Sequence, residues 1–165
     1  MGKNGKDKLK TPTDIGDNAA KTVAQALNGI LADSYALYFK TKNFHWHVSG
    51  PHFRDYHLLL DDQAAQIFAT TDAIAERVRK TGNTTLRSIG DVSRHQTIKD
   101  NDQEFVPASA MLAELRDDNL ALVASLREAK EIVDEAKDNA TSGILDEWTD
   151  QAEERAWFLF EASRT

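Results

Sequence analysis

Val23, Leu27, Ile30, Leu31, Leu37, Tyr38 and Phe44 recur at three- and four-residue spacing, which predicts an amphipathic helix starting near Asp17 or Asn18. The stripe carries the helix to about residue 47, where Ser49, Gly50 and Pro51 turn the chain. Leu60, Ala64, Ile67, Ile74 and Val78 mark a second helix that stops at Gly82. Pro107 opens a third, with Leu112, Leu115, Leu122, Val123, Leu126 and Val133 inside it. Thr141 is the expected N-cap of a fourth, which carries Ile144, Leu145, Trp148, Trp157, Phe158 and Phe160. Phe44 to Val48 also alternates apolar and polar, a period that suits a strand presenting a His-x-His pair. His45 lies four residues after Thr41 and eight after Leu37, however, so it continues the helical stripe and the helix is the better reading.

The pattern is all-α, with four long helices and no convincing strand. Residues 83–106 form one long connection where bundles ordinarily use about two to eight residues. That length lets the chain cross the bundle, so that the second and third helices run parallel as in ferritin-like folds. The short turns at 49–52 and 139–141 make antiparallel pairs on either side. Residues 1–16 hold Gly2, Gly5, Pro12 and Gly16 with no periodicity and read as a flexible tail. Residues 17–165 form one domain, for which a chain of 165 residues is long enough.

Composition narrows the chemistry. The absence of cysteine excludes disulfides and thiolate metal sites, so any metal is held by imidazole and oxygen, which points to iron, manganese or zinc. No apolar leader follows the first lysines and no membrane-length apolar run occurs, so the cytoplasm is the expected location, with no membrane partner. A net charge of -7 argues against nucleic-acid binding by the body. The tail differs: Lys3, Lys6, Lys8 and Lys10 against Asp7 alone give residues 1–10 a formal +3, leaving -10 for the remainder.

Four of the five histidines fall between residues 42 and 62, beside Asp61 and Asp62. With His57 at zero on a wheel of about 100° per residue, Asp61 falls near 40°, Asp72 near 60° and Glu76 near 100°. The core residues of the same helix lie at about 280° to 340°, so the acidic stripe borders the core and is not on the far side. Phe68, near 20°, sits inside that stripe, as though something covers it. Acidic residues on a helix are ordinarily a solvated face. His45 and His57 phased to the same side shift the reading toward metal. His57 and Asp72 are nevertheless 15 residues apart, roughly 22 Å along a helix, as are Asp61 and Glu76. One ion cannot bridge that span within one chain. Two antiparallel copies of the second helix, related by a two-fold axis, would bring His57 and Asp61 of one against Asp72 and Glu76 of the other. An intrabundle di-iron site needs Glu-x-x-His pairs, and none of the histidines has a glutamate three residues before it.

Thr41-Lys42-x-x-His45-Trp46, then Gly50, Phe53, His57 and Asp61, and finally Asp72-x-x-x-Glu76-Arg77, closely resemble the Dps family, DNA-protecting miniature ferritins of starved cells. The motif match covers the first two helices with the family's spacing. The helical outline resembles the family over residues 17–163, more loosely in the second half. The resemblance implies a ferritin-like four-helix bundle with a short helix in the crossover, assembled as a hollow dodecamer of tetrahedral symmetry. It implies iron as the metal and ferroxidase sites at the two-fold interface. His45 with Asp72 and Glu76 of the partner would hold the tighter iron, His57 and Asp61 would hold or orient the second iron or its bridging water, and Trp46 would supply an electron and limit radical escape. Such proteins usually oxidise Fe(II) with hydrogen peroxide in preference to oxygen and store the ferric mineral. A DNA-compacting protein using the cage as scaffold is the alternative, supported by the tail lysines alone. Asp134, Glu135 and Asp138 fall where the family lines acidic three-fold pores, although Gly143 replaces an acidic residue common there. His47, His52 and His95 are expected in surface or capping roles, and Trp148 and Trp157 as core or interface anchors.

Overall fold

The computed structural model describes residues 4–164. Four long helices form the body: α1 (Asp17–His47), α2 (Phe53–Lys80), α4 (Ala108–Glu135) and α5 (Asn139–Ala162), with the short α3 (Ile89–His95) in the crossover. No strand occurs among the described residues, and the Phe44 to His47 stretch is helical. The apolar stripes meet in one core in which Leu27, Leu37, Leu60, Val78, Leu115, Val133, Leu145 and Leu159 are fully buried. Truncating any of these to alanine would cost about 2–5 kcal/mol, because a packed interior only partly closes around the hole.

Side-chain hydrogen bonds fix the helix directions. Tyr56 Oη donates to Ala162 O, Gln63 Nε2 to Arg155 O and Arg77 Nε to Thr141 Oγ1, so α2 and α5 run antiparallel. Arg155 Nε donates to Asn119 Oδ1, and Lys130 Nζ reaches Asp146, so α4 and α5 are antiparallel too. α2 and α4 are therefore parallel, which is what the long connection permits.

That connection is fastened along α1. Asn28 bonds Thr84 and Thr85 at one end, and Asn43 Nδ2 donates to Asn101 O at the other. Between them the buried Asp33 carboxylate accepts from Thr97 N at 2.6 Å, Thr97 Oγ1 at 2.7 Å and Ile98 N at 3.0 Å. These are charge-assisted bonds to otherwise orphaned backbone donors.

Two turns are set by local chemistry. Beyond α2, Gly82 has φ +91°, and a Cβ there would lie 2.9 Å from the carbonyl oxygen of Thr11, so both backbone and space require glycine. The fourth long helix begins earlier than Thr141 predicts: Asp138 is the N-cap, its side chain accepting from Thr141 N at 3.1 Å. Thr141 instead sits in the first turn, fully buried, its hydroxyl turned back onto the same carboxylate. Asp138 takes the cap because it also pairs with Arg77 of α2 at 2.8 Å, a contact the sequence pattern does not reveal.

The polar tail contributes a single 3-10 turn, Asp7–Leu9, among its described residues. Its later part lies on the body. Arg79 Nη2 donates to Leu9 O at 2.7 Å, and Lys10 pairs with Asp17 at 3.0 Å.

Candidate metal centre

α1 and α2 are joined by a tight turn, so the end of one helix faces the start of the other. Across that seam His45 Nδ1 lies 2.7 Å from His57 O, and His57 Nδ1 lies 2.8 Å from His45 O. A carbonyl only accepts, so each Nδ1 carries a proton, and the neutral form of either ring is the tautomer with a bare Nε2. The rings stack with centroids 3.8 Å apart and 19° between planes, and Phe53 stacks with His57 at 5.1 Å. Reciprocal bonds of this kind fix tautomer and orientation together, as supporting bonds do for metal-binding histidines.

Asp61, one turn along α2 from His57, places Oδ1 3.8 Å from His45 Nε2. The same oxygen accepts from Lys42 Nζ at 2.7 Å. That hydrogen bond, more than any other influence, holds the Asp61 carboxyl below the usual carboxylate range, and His45 and His57 add to it when their rings are protonated. Lys42 Nζ also stands 5.7 Å above the Trp46 ring. Trp46 is exposed and meets Phe39 edge-on at 6.1 Å.

The expected ligands thus separate into two groups. His45, His57 and Asp61 come together, with Trp46 beside them. Asp72 and Glu76 sit on the same face of α2 but several turns away, both exposed, Glu76 pairing with Lys80 at 3.3 Å. Among the described residues of one chain, no group of three or more histidine and acidic side chains is positioned to hold a metal ion. Around the separated ligands, Phe39, Trp46, Leu58 and Phe68 leave an exposed apolar surface.

The ferritin-like domain family model matches residues 24–162. The uncharacterized low temperature-induced protein all0458 of Nostoc sp. is 36% identical over 144 residues, 87% of this chain and 80% of that one. The DNA protection during starvation protein of Agrobacterium fabrum is 33% identical over 150 residues, 91% of this chain and 93% of its own. The chain belongs to the Dps family. Among solved structures, DpsC from Streptomyces coelicolor superposes with a TM-score of 0.90 at 25% identity, covering 94% of this chain and 91% of that chain.

In this Dps-family chain the acidic residues at the end of α4 divide. Asp134 and Glu135 are exposed, Asp134 accepting from Ser142 Oγ at 2.6 Å. Asp138 differs from them in its surroundings. It is 5% exposed and committed to the α5 cap and to Arg77. Burial opposes its charge, but the bonds from Thr141 and the Arg77 guanidinium outweigh burial and hold its carboxyl below the usual range. Of the tail lysines, Lys6, Lys8 and Lys10 are exposed, Lys10 being paired with Asp17, and Lys3 lies outside the described residues. His47 and His95 bond back to carbonyls of their own helices, and His52 stands at the start of α2 against Tyr56. Sequence reasoning did not assign Lys42 or Phe53 to the centre. Both stand in the quoted motif and in phase with the histidines, Lys42 three residues before His45 and Phe53 four before His57, but motif and phase give neither a role.

Proposed function

We propose that this protein is a cytoplasmic ferroxidase and iron store of the miniferritin type. In this reading it takes Fe(II) as substrate at sites shared across a two-fold interface and oxidises it with hydrogen peroxide. The observation that carries the proposal is the His45–His57 pair, whose Nδ1 atoms are both engaged by main-chain carbonyls, so that Nε2 is the nitrogen each ring offers a metal beside the ionised Asp61. Asp72 and Glu76, on the same face of α2, complete the set when a second copy packs antiparallel. Imidazole binds Fe(II) well and carboxylates favour the harder Fe(III). Two ferrous ions each lose one electron to one peroxide, its O–O bond breaks, and both oxygens end at the level of water or hydroxide. No hydroxyl radical is released. The ferric product collects as mineral inside a closed shell of twelve chains, and DNA is protected because both reagents of radical formation are consumed.

Complementation tests the shared site. His45→Ala with His57→Ala, and separately Asp72→Ala with Glu76→Ala, should each abolish rapid ferric absorbance after anaerobic Fe(II) loading and stoichiometric peroxide. Co-expression should partly restore it, because a mixed dimer assembles one intact site. Mixed dimers that stay as inactive as their parents would remove the two-fold site. Wild-type protein no faster than buffer would remove the ferroxidase reading itself.

A further inference from the structure

Arg155 of α5 lies at the centre of the bundle and is 3% exposed. Its Nε donates to Asn119 Oδ1 at 2.8 Å, while Nη1 is buried without a hydrogen-bond partner. Among the described residues no carboxylate pairs with it. The charge it feels is that of Glu154, its exposed chain neighbour. Burial pushes the guanidinium down to about 10, which still leaves it charged at neutral pH. A buried cation lacking a counter-charge and, at Nη1, an acceptor is a costly arrangement that a native fold rarely leaves uncorrected.

A small cavity adjoins it, with ≈ 10 Å³ open to the centre of a water-sized sphere. Its wall includes Ser34 of α1, Ile67 and Thr70 of α2, Leu122 of α4, and Trp148 with Arg155 of α5, so all four long helices contribute. We propose that this cavity binds one monovalent anion of halide size, held on Arg155 Nη1 where the four helices meet. The volume is about that needed by a single water, which admits a one-atom ion after slight side-chain adjustment and excludes phosphate or sulfate. A water would satisfy Nη1 and leave the charge uncompensated, whereas a halide answers both needs.

Ser34 and Thr70 have hydroxyls that now donate to Ile30 O at 2.8 Å and Ile67 O at 2.7 Å. Either can swing its proton to the anion, because the helical carbonyl it leaves keeps its main-chain partner. The anion then acts as a structural ligand joining α5 to α1 and α2. The same guanidinium repels metal cations from the bundle centre, where other ferritin-like proteins build di-iron sites from carboxylates. The inference is independent of the iron chemistry at the subunit surface.

The test uses the full chain. Crystals soaked in sodium bromide should show an anomalous bromine peak within hydrogen-bonding distance of Arg155 Nη1. Thermal unfolding should show a saturable rise in Tm with chloride or bromide compared with sodium gluconate at equal ionic strength. Arg155→Met should lose both the peak and the halide dependence. If that variant does not fold, the wild-type peak and wild-type halide dependence decide by themselves. A cavity holding water only overturns the proposal. So does a bromide peak without any halide effect on Tm, which would be binding at crystal concentration only.

Discussion

His45 and His57 each hold the other's ring through a main-chain carbonyl, so replacing one side chain leaves the other's acceptor in place. His57→Phe keeps the ring stack and removes one Nε2 and one hydrogen bond. It should cost about 1 kcal/mol in stability, the net worth of a typical hydrogen bond. Peroxide-driven iron oxidation should fall at least about tenfold, as losing a metal ligand exceeds the roughly 10–100-fold effect of losing its supporting partner. Urea unfolding and stopped-flow absorbance on the same preparation separate the two effects. A large loss of stability with unchanged oxidation would show that the pair is a helix corner and not a ligand set. Both histidines were legible in the sequence through phase and density. Their tautomers were not, because tautomer is decided by which acceptor the fold places opposite each Nδ1.

At the scale of elements, the α2–crossover turn and the α4–α5 corner each rest on one residue. Gly82→Ala should destabilise by roughly 1–3 kcal/mol, since an L side chain at positive φ is strained and this Cβ would also meet Thr11 O. Faster proteolysis within residues 4–16 would show that the tail segment has been displaced. Unchanged cleavage would mean that the Arg79 bond to Leu9 O holds it unaided. Asp138 makes a pH prediction. Its carboxyl is held below the unfolded value of about 3.9, so the stability it contributes is fully present above that pH. That stability is lost as pH falls through the lower folded value. Asp138→Asn should therefore cost about 1–3 kcal/mol near neutrality, the worth of charged hydrogen bonds. The gap from wild type should close below about pH 4, as denaturant titrations at several pH values would show.

For the whole molecule, the informative feature is apolar surface that one chain leaves uncovered. Phe39, Trp46 and Phe68 surround the separated ligands, and Trp157, Phe158 and Phe160 stand exposed on α5. Exposed aromatic side chains clustered in this way predict association. Native mass spectrometry should give twelve times the chain mass, and Phe68→Asp should shift the particle to smaller species and lower iron oxidation with it. Twelve tails on one such particle would bind DNA through avidity, weakly per tail and with steep salt dependence. Deleting residues 1–10 should abolish a low-salt gel shift while iron oxidation continues. An undiminished shift would place DNA binding elsewhere.

Element type, the order of the four long helices and the composition of the candidate site follow from sequence, because hydrophobic periodicity and chemical identity are local properties that survive without coordinates. The spacing along α2 even keeps His57 and Asp61 from sharing one ion with Asp72 and Glu76 of the same chain, since the rise of a helix is the same in every fold. Tertiary structure decided what depends on neighbours distant in the chain. It moved the α5 cap from Thr141 to Asp138, because Arg77, 61 residues away, stabilises that carboxylate. It buried Asp138 against Arg77 while leaving Asp134 and Glu135 exposed. It also buried Arg155 without a counter-charge, in a position where the sequence shows only one more basic residue on a helix.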